Sequence, residues 1–181
     1  MKTYGIALLF FLHTAVLNAD TIKVDTKLGL PVLSIPANNQ QSAEKIALGR
    51  QLFNDKRLSQ DGSISCASCH NQDRAFTDGQ KVAVGIRQQT GFRNAPTVVN
   101  AAFYQTLFLD GRAGSLEDQA LGPLLNPIEH GLRSQQEIVE IVAQAPGYQQ
   151  QFTRIFNSGK ITAVQIAQAI ASFERTLIAG N

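Results

Sequence analysis

Residues 66–70 read Cys-Ala-Ser-Cys-His, and Cys66 and Cys69 are the only cysteines among 181 residues. Two thiols three residues apart on one turn of backbone can bond both vinyl groups of a single porphyrin. The next residue then presents its imidazole to the iron. A Cys-x-x-Cys-His run is therefore the attachment pattern of c-type haem. With no third cysteine, a disulfide network and a four-thiolate zinc site are excluded. A redox dithiol of thioredoxin type uses the same Cys-x-x-Cys without needing the histidine. The histidine at position 70 and the exported character of the chain favour haem.

If His70 is the fifth ligand of the iron, the sixth remains to be found. Electron-transfer cytochromes take it from methionine or a second histidine. Met1 is the only methionine, and the histidines are His13, His70 and His130. Met1 and His13 fall in an N-terminal segment expected to be removed. Two arrangements stay open: His130 closes the site as a bis-histidine cytochrome, or the sixth position is free to bind a small molecule. A loop histidine satisfied elsewhere is the plain alternative for His130.

The elements that must position these residues can be read from the rest of the chain. Lys2 is the only charge before Asp20, and Ile6 to Val16 is apolar apart from His13 and Thr14. This is the pattern of a cleavable signal peptide, too short to cross a bilayer, with cleavage expected after Ala19. A buried N-terminal helix is the alternative. Processing would leave 162 residues with no membrane anchor, one domain's worth, in the periplasm. Loss of Lys2 takes the formal charge from +2 to +1, so nothing points to nucleic acid or an anionic membrane.

Residues 20–41, with Pro31 and Pro36, read as an extended arm. Ser42 caps a helix running to about Asn54, and Gly62 turns the chain into the haem motif. Residues 77–96 read as a long loop across the haem. Ser115 with Asp118 opens a short helix that Pro123 and Pro127 end. Ser134 with Glu137 and Thr162 with Gln165 are capping boxes, the second opening a final helix that stops near Gly180. No run alternates as a strand, so the expected fold is all-α: a cytochrome c-like domain with long loops around the haem.

The stretch 48–70, Leu-Gly-Arg-Gln-Leu-Phe-Asn-Asp-Lys-Arg-Leu-Ser-Gln-Asp-Gly-Ser-Ile-Ser-Cys-Ala-Ser-Cys-His, resembles the N-terminal haem region of bacterial di-haem cytochrome c peroxidases, a family that includes MauG. Matches continue in order: Arg93-Asn94-Ala95-Pro96-Thr97, Asp110-Gly111-Arg112-Ala113, Gln119, Pro127-Ile128-Glu129 and Ser172-Phe173-Glu174-Arg175-Thr176-Leu177. The similarity covers residues 42–181. By that resemblance Cys66 and Cys69 hold one covalent haem c, the peroxidatic one, and His70 is its proximal ligand. Gln119 and Glu129 lie on the distal side. A carboxylate there can carry a proton from one peroxide oxygen to the other and so assist O–O cleavage, while Gln119 hydrogen-bonds without changing charge. Arg112 is a candidate haem-propionate partner. Asn94 matches a residue of the family's calcium site, although its companion ligands belong to the other half of that family's chain; a turn asparagine is the alternative.

Three departures qualify the resemblance. The family pairs two haem domains, whereas this chain carries one haem motif, so the second haem domain is expected to be absent. Its place would be taken by a separate haem domain or a second copy of the chain. Many members have a blocking histidine in the loop before Arg-Asn-x-Pro, where this chain has Ile86. The usual tryptophan before Asp-Gly-Arg is Leu109 here. The leading expectation is reduction of hydrogen peroxide with electrons from a small periplasmic donor, a cytochrome c or a cupredoxin. The alternative is a mono-haem electron-transfer or haem-binding module without turnover.

Overall fold

The computed structural model describes residues 29–180. The expected signal peptide, residues 1–19, and the first part of the arm, residues 20–28, lie outside them. Among the described residues there are six α-helices: α1 (Ala43–Phe53), α2 (Cys66–Cys69), α3 (Leu116–Leu125), α4 (Gln135–Gln144), α5 (Tyr148–Phe156) and α6 (Ala163–Glu174). They carry no strand, only the isolated bridges Asn71–Thr77, Val84–Thr90 and Leu107–Ala113. The fold is all-α and cytochrome c-like, with long irregular stretches between α1 and α3.

Side-chain caps start the helices where the sequence places them. Ser42 accepts from the Lys45 amide, Ser115 from Asp118, Ser134 from Glu137 and Thr162 from Gln165. Each satisfies one of the amides that a first turn leaves without a partner. The Thr162–Gln165 box is reciprocal. At α4 it is not, because the Glu137 carboxylate turns back to the amide and guanidinium of Arg133. Three features depart from the sequence reading, and the first is that the final helix ends at Glu174 rather than near Gly180. Pro123 does not end α3 but sits inside it, and the helix stops at Leu125 before Asn126. The Pro-Gly pair at 146–147 is followed by a further helix, α5, that the capping signals did not announce.

The core is the crossing of α1 with α6, flanked by α3 on one side and α4 with α5 on the other. Leu48, Leu52 and Phe53 of α1 meet Ile166, Ile170 and Phe173 of α6, all buried. Gly49 faces the backbone of Ala169, so close that a Cβ there would overlap the Ala169 carbonyl and stand 3.0 Å from Phe173 Cβ. The arm is tied to the same pair of helices. Asn39 donates to Glu117 (2.6 Å) and to the Gln168 carbonyl (3.0 Å), and Lys45 donates to Asn39 (3.1 Å). Behind them Arg175, only 5% exposed, grips Glu117 with two parallel hydrogen bonds of 2.7 and 2.8 Å. Burial pushes the Glu117 carboxyl up, but the Arg175 and Asn39 hydrogen bonds outweigh it and hold the group ionised, below the usual range.

Gly49→Ala should therefore destabilise the protein although alanine is the better helix former. The propensity gain is about 1 kcal/mol, and overpacking a core typically costs about 1–3 kcal/mol. Backbone cannot rotate away as a side chain can, which puts this site at the upper end. The expected outcome is a lower urea midpoint at unchanged slope; a midpoint equal to or above wild type would mean the crossing is looser than described.

Candidate haem site

The short helix α2 carries both cysteines, with Cys66 and Ala67 packed against the core. At its start the Ser68 hydroxyl accepts from the Ser65 amide and the Ser68 amide donates to the Ser65 carbonyl, both at 2.9 Å. Both thiols are half-buried and unbridged. Burial pushes Cys66 up to about 12 and Cys69 up to about 11, so both are neutral thiols at physiological pH. Cys69 donates weakly to the Val84 carbonyl at 3.8 Å and lines a cavity of about 390 Å³ together with Ile64, Val84 and Gly85.

His70 follows as the cap of α2. Its Nδ1 lies 3.1 Å from the Phe76 carbonyl, which only accepts, so Nδ1 carries the proton and Nε2 presents a lone pair. Burial lowers the imidazole's pKa and keeps it neutral. The Phe53 ring, part of the α1–α6 core, stands 6.3 Å from the imidazole. Two thiols on one turn beside a neutral, pre-oriented imidazole suit a covalent haem, with Nε2 as the iron donor.

The carbonyl that orients His70 is itself held in an uncommon place. Ala75 and Phe76 both have left-handed φ (54° and 57°), which costs non-glycine residues roughly 1 kcal/mol or more each. Four hydrogen bonds hold the turn: Phe76 amide to Asn71 carbonyl (2.8 Å), Thr77 amide to Arg74 carbonyl (3.2 Å), Thr77 hydroxyl to Ala95 carbonyl (2.6 Å) and Thr97 hydroxyl to Ala75 carbonyl (2.5 Å). The Arg93–Thr97 motif thus works as a brace for the histidine turn. Asn94 within it is exposed, and among the described residues no three His, Cys, Asp or Glu side chains cluster as a metal site.

Glu129 lies in the turn after α3, half-buried, accepting from Asn126 Nδ2 at 2.7 Å. Burial raises its pKa, against the Arg112 charge and the Asn126 hydrogen bond. Gln119 is half-buried on α3. Arg112 is exposed, held by Asp110 at 2.8 and 3.0 Å and lying 3.4 Å over the Phe108 ring. His130 is 4% exposed, and its Nδ1 donates to the Leu58 carbonyl at 2.6 Å. Ile86 is fully buried and its amide donates to the Glu129 carbonyl at 3.0 Å.

Glu174 is a buried group to which the sequence reading gave no role. It is 4% exposed, its Oε2 has no hydrogen-bond partner, and its charge acts on the Cys66 thiol. The adjacent Arg175 points instead to Glu117. Burial pushes the Glu174 carboxyl up to about 8, partly offset by Arg175 and reinforced by Glu117. The signal was in the sequence: Glu174 falls four residues after Ile170 and one after Phe173, on the face of α6 that the core claims.

The family model for di-haem cytochrome c peroxidase matches residues 43–181. The chain is 44% identical over 148 residues to cytochrome c peroxidase Ccp of Escherichia coli K12, covering 82% of this chain and 32% of that protein. It is 43% identical over 149 residues to cytochrome c551 peroxidase of Nitrosomonas europaea, covering 82% and 44%. Among solved structures, a MauG-like protein associated with microbial copper homeostasis superposes with a TM-score of 0.76 at 38% identity, covering 83% of this chain and 45% of that one. The chain thus spans about a third to under half the length of these relatives.

Glu174 generates a pH prediction. Its unfolded pKa is near the ordinary 4.5 and its folded value is raised to about 8, so the folded chain keeps a proton that the unfolded chain releases. Raising the pH from about 4.5 to 8 therefore favours unfolding at this site. Glu174→Gln should flatten that decline: urea unfolding of the haem-loaded protein at pH 5 and pH 8 should differ less in the variant than in wild type. An unchanged difference would place the proton elsewhere.

Proposed function

Because this chain belongs to the di-haem cytochrome c peroxidase family, we propose that it is a periplasmic c-type haem protein whose site reduces hydrogen peroxide to water, with two electrons drawn from a small redox donor such as a cytochrome c or a cupredoxin. The observation that carries this reading is Glu129. It is a carboxylate that burial holds above its ordinary pKa, and it sits in the turn that backbone hydrogen bonds join to the loop beside Cys69. A carboxyl shifted towards neutrality is suited to both taking up and returning a proton.

Haem bound through Cys66 and Cys69 supplies the redox-active iron that receives peroxide. The protein's own residues do the rest. His70, neutral and oriented by Phe76, offers Nε2 from one side, and the hydrogen bond to its Nδ1 makes it a stronger donor. Glu129 takes the proton from one peroxide oxygen and returns it to the other, so that the departing oxygen leaves as water. Gln119 orients peroxide or water by hydrogen bonding. The Arg112 charge keeps Glu129 from drifting too far towards the acid form. Overall, one peroxide, two electrons and two protons give two waters. With Ile86 in the loop, no histidine from that position blocks the distal face, so the ferric protein is ready to react without prior reduction.

Glu129→Gln keeps size and hydrogen bonding but removes the proton carrier. Turnover with peroxide should fall by about 10²-fold, the lower end of what general acid–base catalysis supplies. Haem content and the ferric spectrum should stay as in wild type. Full turnover in this variant, or a ferric spectrum in wild type that does not respond to peroxide, would defeat the proposal.

A further inference from the structure

Three chain segments converge on the turn that carries Glu129. The first is 58–61, just ahead of the haem motif: the Leu58 carbonyl accepts from His130 Nδ1 at 2.6 Å, and the Gln60 amide donates to the His130 carbonyl at 2.8 Å. The second is 85–89: the Ile86 amide donates to the Glu129 carbonyl at 3.0 Å, and Gln89 Nε2 reaches the Pro127 carbonyl at 3.5 Å. The third is the end of α3 itself, where the His130 amide donates to the Pro123 carbonyl at 3.3 Å. Glu129 is therefore fixed through its own carbonyl and through both backbone groups of the next residue.

The second segment reaches Glu129 only because of glycine. A Cβ on Gly85 would overlap the Ile128 carbonyl and lie 2.8 Å from Glu129 Cα. Gly131 leaves room on the other side for the buried Ile86 side chain. The loop is held in this position against strain. Arg87 and Gln88 are consecutive left-handed residues (φ 52° and 58°), anchored by the Arg87 amide on Asp61 (3.1 Å) and its guanidinium on Gln60 (3.0 Å). Backbone strain of this kind persists only where the surroundings over-determine it.

We propose that Gly85 and His130 are positioning residues for Glu129: the glycine admits the Ile86 amide to the Glu129 carbonyl, and the imidazole pins the far side of the turn to the Leu58 carbonyl ahead of the haem motif. The inference deepens the reading of Glu129 as proton carrier and rests on it. In this proposal His130 acts through Glu129, by way of its Nδ1 bond to the Leu58 carbonyl. The Leu58 carbonyl only accepts, so His130 Nδ1 carries the hydrogen of this bond.

The test uses haem-loaded protein and the rate at which the ferric form reacts with hydrogen peroxide, followed by stopped flow. His130→Leu and Gly85→Ala should each slow that reaction by about tenfold or more, since misplacing a reacting group by ~1 Å can cost ~10²-fold. Haem content and the high-spin ferric spectrum should be unchanged. His130→Asn, whose amide can donate to Leu58 from the place of Nδ1, should recover most of the rate. In a Glu129→Gln background neither substitution should slow the reaction further, because residues acting through one group are not additive. Losses that multiply with Glu129→Gln, or full rates in both single variants while Glu129→Gln is slow, would overturn the positioning role and leave Glu129 standing. A Glu129→Gln protein as fast as wild type would remove the proton carrier and the clamp together. A low-spin wild-type spectrum that turns high-spin in His130→Asn would make His130 an iron ligand and also overturn the inference. Should His130→Leu fail to load haem, Gly85→Ala and His130→Asn still decide the matter.

Discussion

The backbone approach of α1 to α6 at Gly49 is the constraint on which the rest of the structure depends. Because no side chain intervenes there, the two helices close enough for Phe53 and Phe173 to meet edge to face, their centroids 5.2 Å apart. Phe53 in turn stands against the His70 ring. One aromatic side chain thus links the hydrophobic core to the His70 imidazole. The same closure carries the end of α6 under α2, which buries Glu174 near Cys66 and brings Arg175 to Glu117. Arm, core and haem motif are therefore registered against one helix pair.

Above that floor the site is built from loops, and loops need another kind of support. A helix satisfies its own amides; an irregular segment must find partners one at a time. Here they come from side chains of other irregular segments. Thr77 and Thr97 tie the histidine turn to the Arg93–Thr97 stretch, and Asp61 and Gln60 tie the 85–89 loop to the approach to the haem motif. In both loops two consecutive non-glycine residues sit in the left-handed region. Stored strain and compensating hydrogen bonds occur at the places where a carbonyl or an amide must face His70 or Glu129, and both serve to aim a backbone group rather than a side chain.

That explains what could be read from the chain and what could not. Caps such as Ser115 and Thr162 act within four residues, so they are visible as local patterns, as is Cys-x-x-Cys-His. Helix α5 was missed because it starts after Gly147 with no side-chain cap and opens with three glutamines after Tyr148, although Tyr148, Phe152 and Phe156 keep the helical period. Pro123 reads as a stop, yet α3 runs two residues past it to Leu125, and the Pro123 carbonyl accepts the cap amide of Asn126. The roles of Gly85, Phe76 and Leu58 depend on which carbonyl an amide or imidazole meets across 6 to 72 residues. No local pattern records such a meeting.

The two buried carboxylates show how the same fold sets different protonation states. For both, burial is the largest influence and raises the pKa. Glu129 retains a hydrogen bond from Asn126 and the field of Arg112, each of which favours its anion. Glu174 has an oxygen with no partner, and the charge that should have helped it is committed to Glu117 by two short hydrogen bonds. Arg175 can neutralise only one of its neighbours well, and the bidentate geometry decides for Glu117. Glu174 is then left to carry its own desolvation, and its carboxyl is pushed up to about 8. Glu129 is also raised by burial, but Asn126 and Arg112 both oppose that rise. The difference between the two carboxylates thus follows from their partners: Arg175 points away from Glu174 to Glu117, whereas Asn126 and Arg112 face Glu129.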